Sequence, residues 1–292
     1  MGMGAPGLRW GVEQRLEFIE FRLFWEGGVN RSDITDYFGV SVPQASKDLS
    51  QYQALAPENI VYDRSEKRYF AAERFKPRFM QPNADRYLAQ LTSVADRTSQ
   101  REETWLSNPP ALDTMPIPHR KVSIDVLRKV LAGIRSGRSV EILYQSMNQI
   151  RPDALWRRVS PHAFGSDGFR WHVRAYCHVD RKFKDFLLSR CLDARLSDEP
   201  GVDSTGDTQW QKFFDVVLSP NPKLSSNQRK IIAQDYDMSG GHLTVPVRRA
   251  LLYYFRKRLR LDVADALDNP AEAPIVVTNR DAFDIALAEA MS

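Results

Sequence analysis

The spacing of apolar residues changes near residue 137, and that change limits what the chain can fold into. Over residues 123–136, Ile124, Leu127, Val130, Leu131 and Ile134 recur at helical intervals, which places an apolar stripe along one helix. From Ser139 the interval becomes two, the period of a strand with one buried face. Four strands are expected, over residues 139–147, 155–164, 169–179 and 183–196. Their turns hold Asn148, Pro152-Asp153, Gly165-Ser166-Asp167-Gly168 and Asp180-Arg181-Lys182. Short, evenly spaced strands with tight polar turns suggest a small antiparallel barrel or sandwich. Helical segments flank this stretch, so the fold class is α+β and multidomain.

The flanks have their own punctuation. A helix is expected over residues 12–25, stopped by Gly27-Gly28. A short helix over 32–38, a turn at Gly39 and a second helix over 43–55 follow, with Ser41 or Val42 at its start and Pro43 in its first turn, where a missing N–H costs nothing. Residues 60–70 form two β-prone runs around a polar tip, a hairpin. One more helix spans 84–95. A polar connector holding Pro109, Pro110, Pro116 and Pro118 then marks a boundary. After a polar stretch over 198–209, a third module alternates strand (215–218), helix (225–236), strand (242–247), helix (248–259) and strand (275–278). The expected domains are 8–75, a spacer and linker at 76–136, a barrel at 137–200 and an α+β module at 207–292. The 292 residues fit about two or three domains.

No stretch approaches the roughly 20 apolar residues of a membrane span, and the first residues lack a secretory pattern. Pro6 stands where a myristoylation signal needs Ser or Thr, and the opening reads as a disordered start. Cys177 and Cys191 are too few for a disulfide framework. A cytoplasmic, nucleoid-associated protein without a metal or cofactor is expected.

Within 31–49, Ile34 and Phe38 are placed inward, Gly39 makes the turn, Val40 fills the corner, and Ala45 and Leu49 face the first helix. That order is expected of a helix-turn-helix. Ser41, Gln44, Ser46, Lys47, Ser50, Gln51 and Tyr52 then lie outward on the second helix, with donors suited to base edges and phosphates in a major groove. The hairpin makes a wing, with Arg64, Lys67 and Arg68 at or beside its tip. Yet residues 1–75 carry 9 basic and 11 acidic side chains, whereas residues 119–200 carry 16 and 9. A head of net charge −2 gains phosphate affinity by dimerising, and the surplus of +7 belongs to an anion-handling segment.

That segment is most informative at residues 169–178, where odd positions are apolar or aromatic and even positions are Arg170, His172, Arg174, Tyr176 and His178. One face goes to the core, and a cationic row lies on the other. Arg190 near the end of the next strand, with Ser160 and His162 on the preceding one, extends it into a basic concave surface suited to phosphates and bases. Alternation sends Cys177 away from His172 and His178, and no catalytic carboxylate pair or Ser/His/Asp order stands out. The chain does not read as an enzyme.

The order winged helix-turn-helix, spacer helix, small barrel and C-terminal α+β module resembles the WYL-domain transcriptional regulators of bacteria. Trp171-His172-Val173 corresponds to the naming triplet. Ile142-Leu143-Tyr144, Arg158-Val159-Ser160-Pro161-His162 and Leu188-Ser189-Arg190 match the surrounding strands. The form Arg170-Trp171-His172-Val173-Arg174-Ala175 is similar to repressors beside CBASS and BREX anti-phage operons. The resemblance implies an Sm-like or SH3-like barrel that senses a nucleotide or nucleic acid, a homodimer, and regulation of a defence operon. It carries over Tyr144, Ser160, His162, His172, Arg174 and Arg190 as ligand contacts, with His172 facing the pocket.

The expected function is a homodimeric repressor on an inverted-repeat DNA operator, relieved by an anionic nucleotide or oligonucleotide effector at the barrel. Leu251, Leu252, Tyr254 and Phe255 are expected at the dimer interface unless they form core. The alternative is a single-stranded nucleic-acid-binding adaptor whose helix-turn-helix serves as a protein interface.

Overall fold

A computed structural model describes residues 10–95, 104–149, 152–264 and 269–292. The expected disordered start, the first part of the proline-rich connector and two residues of the first barrel turn lie outside the described residues. The chain forms two compact units, Met1–Ile117 and Pro118–Ser292.

In the first unit, α1 (Trp10–Glu26) buries Leu16, Phe18, Ile19 and Leu23. Gly28–Val29 forms a short strand, β1. The N-terminus of α2 (Arg31–Phe38) is closed by Asn30 and Asp33. Asn30 Oδ1 accepts from the Asp33 amide at 2.9 Å, and Asp33 Oδ2 accepts from the Asn30 amide at 2.7 Å, so two otherwise orphaned donors are satisfied. Gly39 then takes φ 63°, the left-handed conformation that ends a helix at little cost, and donates to the Thr35 carbonyl at 2.9 Å. Ser41 caps α3 (Val42–Leu55). The hairpin is present as β2 (Ile60–Asp63) and β3 (Arg68–Ala71), and β1 joins it in the order β1-β3-β2. The last helix of this unit is α4 (Ala84–Ala95).

One buried carboxylate ties this unit together. Glu20 is fully buried in α1. It accepts from the backbone amides of Arg78, Phe79 and Met80 at 2.9, 2.6 and 2.8 Å and from the Tyr52 hydroxyl at 2.9 Å. Four donors offset its desolvation, and they pin the segment after the wing to α1.

In the second unit, α5 (Ile124–Ser136) lays Val126 and Val130 on a five-stranded antiparallel sheet. A Cβ on Gly133 would stand 2.4 Å from Val140 Cγ2, so the helix sits too close to the sheet for any side chain there. This helix falls within the expected spacer at 76–136, and it packs Val126 and Val130 into the sheet's core. The strands are β4 (Arg138–Tyr144), β5 (Leu155–Ser166), β6 (Trp171–Cys177), β7 (Lys182–Leu187) and β8 (Cys191–Pro200). Their order is β7-β6-β5-β4-β8. The expected fourth strand is thus two. A 3-10 turn at Leu188–Arg190 breaks it, and its second half crosses to pair with β4. Since β7 and β8 form the two edges, the expected closed barrel is not seen among the described residues.

The rest of this unit is α6 (Thr208–Gln211), β9 (Phe213–Pro220), α7 (Ser226–Asp235), β10 (Leu243–Arg248), α8 (Leu252–Arg258), α9 (Leu261–Ala264), β11 (Ile275–Val277) and α10 (Arg280–Met291). The sheet order is β10-β9-β11. Its core is Val216, Leu218, Val247, Leu252, Ile275, Phe283, Ala286 and Leu287. The closing helix was not expected, although Phe283, Ala286 and Leu287 have helical spacing. Leu252 and Phe255, considered for a dimer interface, belong to this core cluster. Leu251 lies under Gly165 of β5, and Tyr254 points into the sensor sheet as described below. These four are intrachain contacts.

Candidate nucleic-acid interface and sensor face

The recognition helix is held from behind. Ala45, Asp48, Leu49 and Tyr52 are buried on one side of α3, leaving Ser41, Lys47 and Ser50 exposed and Gln44, Ser46 and Gln51 half-buried on the other. Tyr52 is the correction: it is 0 % exposed and donates to Glu20, so the structure places it in the core rather than on a DNA-facing surface. The surface hydroxyls are partly committed, since Ser46 and Ser50 donate to the carbonyls of Val42 and Ser46, each at 2.9 Å.

At the wing, Asp63 Oδ1 accepts from the amides of Ser65 and Glu66 at 2.7 and 3.1 Å, and Lys67 takes φ 52°. Arg64 and Lys67 are exposed. Arg68 is half-buried, and its Nη2 donates to the Gly28 carbonyl at 2.9 Å. It braces β1 instead of extending the tip.

The β6 face differs from the expected cationic row. On one side of β6, Val173, Ala175 and Cys177 enter the core, but Trp171 is 57 % exposed, so the apolar face leaves the core at the strand's start. On the other side, His172 and Arg174 are also buried. Arg174 is gripped by acids: Nε and Nη2 reach the two oxygens of Asp207 at 2.7 and 3.0 Å, and Nη1 reaches Asp185, opposite it on β7, at 3.3 Å. His162 donates Nε2 to Asp207 at 3.0 Å, and Asp207 also caps α6 through the Trp210 amide at 3.1 Å. Burial by itself would raise the Asp207 carboxyl; hydrogen bonds from His162 and Arg174 outweigh it and hold the group well below the usual carboxylate range. Burial would lower the Arg174 pKa, and Asp207 and Asp185 raise it instead.

Around this pair the C-terminal module closes the face. The Tyr254 ring lies 4.5 Å from that of His172, and its hydroxyl donates to Asp185 at 3.1 Å. Burial, more than the attraction of Asp185 and Asp167 can offset, pushes His172 below its ordinary pKa of 6.5; its Nε2 lies 3.6 Å from Asp167 Oδ2, beyond hydrogen-bond distance, and meets no closer partner among the described residues. Arg170 pairs with Asp167 at 2.7 Å. Arg258 donates to the Asp167 carbonyl at 2.9 Å and fills the space where a Gly168 side chain would stand.

The six expected ligand contacts fall in three places. His162 and Arg174 share Asp207, and His172 adjoins them through Tyr254, whose hydroxyl meets Asp185. A bulge between Pro161 and Ala163 separates Ser160 from His162, and Ser160 turns to His178 at 2.9 Å and Ser139 at 3.2 Å. Tyr144 meets Phe186, and its hydroxyl accepts from the Leu187 amide at 3.3 Å. Arg190 is half-buried near it, its carbonyl accepting from the Gln145 amide at 3.0 Å. The Ser160–His178 pair is not a nucleophile and base. Arg158 donates to His178 Nδ1 at 3.1 Å, so the ring proton is on Nε2 and the imidazole donates toward Ser160. Burial and Arg158 both lower the His178 pKa. Among the described residues no cluster could hold a metal ion, and no helix is long and apolar enough to cross a membrane.

Sequence reasoning missed Asp185 and Asp207, and it named Tyr254 only for a dimer interface or core. Asp207 lies in a stretch read as a linker, 33 residues from Arg174, and no local spacing links the two.

Comparison with known proteins agrees with this architecture. Residues 11–93 match the BrxR transcriptional regulator winged helix-turn-helix domain, residues 125–196 the WYL domain, and residues 213–283 the BrxR C-terminal dimerization domain. The chain is 40 % identical over 278 residues to the DNA-binding transcriptional repressor CapW of Pseudomonas aeruginosa, covering 95 % of this chain and 92 % of that protein. It is 38 % identical to CapW of Escherichia coli strain KTE188, with the same coverage, and 38 % identical to CapW of Stenotrophomonas maltophilia over 94 % of this chain and 92 % of that one. With all three parts in the same order and this identity running almost end to end, the chain belongs to the CapW family of WYL-domain transcriptional repressors.

Proposed function

We propose that this chain represses transcription as a homodimer, with α3 of each copy in successive major grooves of an inverted repeat upstream of an anti-phage defence operon. The observation that carries this reading is the recognition helix: one side is locked into the core, and the other presents Ser41, Gln44, Ser46, Lys47, Ser50 and Gln51. The names of the relatives, all DNA-binding transcriptional repressors, support it. The C-terminal module is the proposed dimerisation element, in keeping with the domain it matches.

The second part of the reading is that an anionic nucleotide or oligonucleotide relieves repression at the WYL sheet. Because Arg174 is already bound by Asp207 and Asp185, such a ligand gains the guanidinium only by displacing a carboxylate. It would thereby loosen the 204–211 segment that leads into the C-terminal module. A ligand shifts occupancy only through unequal affinity for the two arrangements, and the Asp207 exchange supplies that inequality. Arg190, with no ion pair among the described residues, is the cation free to meet the ligand first.

Footprinting of the full chain on DNA upstream of its own operon tests both parts. Protection of an inverted repeat, lost on addition of a short oligonucleotide and retained in Arg190→Ala, is expected. An absence of protection at any repeat would sink the repressor reading. Protection that Arg190→Ala still loses on addition of oligonucleotide would sink the effector site alone.

A further inference from the structure

Gln44 is in the first turn of α3, where a recognition helix meets base edges. Its amide nitrogen donates to Asp48 Oδ1 at 2.9 Å, one turn along. Asp48 is 0 % exposed. Arg15 of α1 holds it from behind, with Nε 2.6 Å from Oδ2 and Nη2 3.3 Å from Oδ1.

This chain of contacts decides which way the Gln44 amide faces. A carboxylate paired with a guanidinium can only accept, so the NH2 end must turn to Asp48 and the carbonyl end away from it. One amide proton is used there. The carbonyl oxygen and the second proton remain, an acceptor and a donor side by side. Adenine offers the complement in the major groove, its N6 donor beside its N7 acceptor.

The other polar groups of the helix lack such a preset pattern. The hydroxyl protons of Ser46 and Ser50 are donated to backbone carbonyls, leaving acceptors alone. Lys47 is a mobile point charge suited to phosphate. Gln51 lies two turns further on, away from the end of the helix that enters the groove.

We propose that Gln44 is a specificity-determining residue that reads an adenine in each half-site, and that Asp48 and Arg15 are positioning residues that fix its amide. The proposal rests on the DNA-binding reading above and adds to it the base that is read and the atoms that read it. Gln44→Glu should lose the adenine preference, because a carboxylate has no proton for adenine N7 and none for Asp48, which repels it. In Asp48→Asn the new amide can donate to the Gln44 carbonyl, so the orientation is no longer unique and the preference relaxes.

The test is selection from a pool of random duplexes by the full chain and its variants, followed by binding to the selected duplex with 7-deazaadenine in place of adenine. The wild type should enrich one adenine per half-site whose 7-deaza form binds roughly tenfold more weakly or worse. In Gln44→Ala the penalty should vanish while the remaining sequence preference and the thermal melt persist. The same adenine and the same penalty in Gln44→Ala would overturn the assignment. A Gln44→Glu variant that kept the adenine preference would also count against it. Unchanged adenine preference in a folded Asp48→Asn would remove the positioning role. A wild type that enriches no sequence would overturn the DNA-binding reading itself, an outcome distinct from the other three.

Discussion

The head, residues 1–75, and the segment that holds the WYL sheet, residues 119–200, use charge in opposite ways. The head has 9 basic and 11 acidic side chains, yet Lys47, Arg64 and Lys67 stand exposed, and its buried acids Glu20 and Asp48 are spent on internal donors. The WYL segment has 16 basic and 9 acidic side chains, yet Arg170 and Arg174 are held by Asp167, Asp185 and Asp207. The net charge of a segment therefore says little about the charge it offers a partner. A cation is available only when the fold has brought no carboxylate to it, and Asp207 comes from outside the segment in which the sensor's charges were counted.

The largest way to break this contrast is at Arg174. Arg174→Ala leaves the buried Asp207 and the half-buried Asp185 without their cation, and the second unit should lose about 3–5 kcal/mol, read as a lower urea midpoint. The paired change Arg174→Met with Asp207→Asn, which keeps the α6 cap acceptor, should recover much of it. A midpoint unchanged in Arg174→Ala would mean the pair is open to water and the sensor face is free. Glu20→Ala comes next. It orphans three amides and the Tyr52 hydroxyl, and should cost about 3 kcal/mol by the usual penalty for unmade bonds to a charged group. A thermal melt within a degree of wild type would contradict that.

Lys47→Ala should leave stability within about 0.5 kcal/mol, weaken DNA binding across sequences, and reduce the salt slope by about one. An unaltered slope would remove Lys47 from the phosphate contacts. The smallest effect concerns pH. His172 and His178 both have lowered values in the fold. The unfolded chain therefore takes up protons first as pH falls through 6.5, and the stability their neutral forms contribute is full above that and declines below it. The urea midpoint should drop between pH 7.5 and 5.5, and His172→Gln should flatten the drop. A midpoint that rises on acidification would reverse the sign.

Much of the architecture was legible because its causes are local. The 84–95 helix appears at Ala84–Ala95 and the wing strands at Ile60–Asp63 and Arg68–Ala71, since apolar period, capping residues and turn residues act over a few positions. The break at Leu188–Arg190 was not legible. The residues 183–196 are strand-prone throughout, and what splits them is pairing of the second half with β4.

The candidate sites divide in the same way. Ser41, Gln44, Ser46, Lys47, Ser50 and Gln51 follow from helical spacing, because a helix puts every third or fourth residue on one side. Tyr52 fails by one step of that spacing. It is seven residues from Ala45, so it shares Ala45's buried face, and only the presence of Glu20 opposite shows that the core has a partner for its hydroxyl. Alternation separated Cys177, which enters the core, from His172 and His178, but it could not say what covers the second face.

By itself, the sequence determined that this chain has a winged helix-turn-helix, a β-rich middle segment and a mixed C-terminal module, and which side chains share a face of each element. Those properties depend on hydrophobic period and on capping within a turn or two. Only the tertiary structure decided which outward charges remain free. Arg174 meets Asp207 across 33 residues, Tyr254 reaches Asp185 across 69, and Arg15 reaches Asp48 across 33. Pairings of that range are set by how elements stack, and no spacing along the chain encodes them.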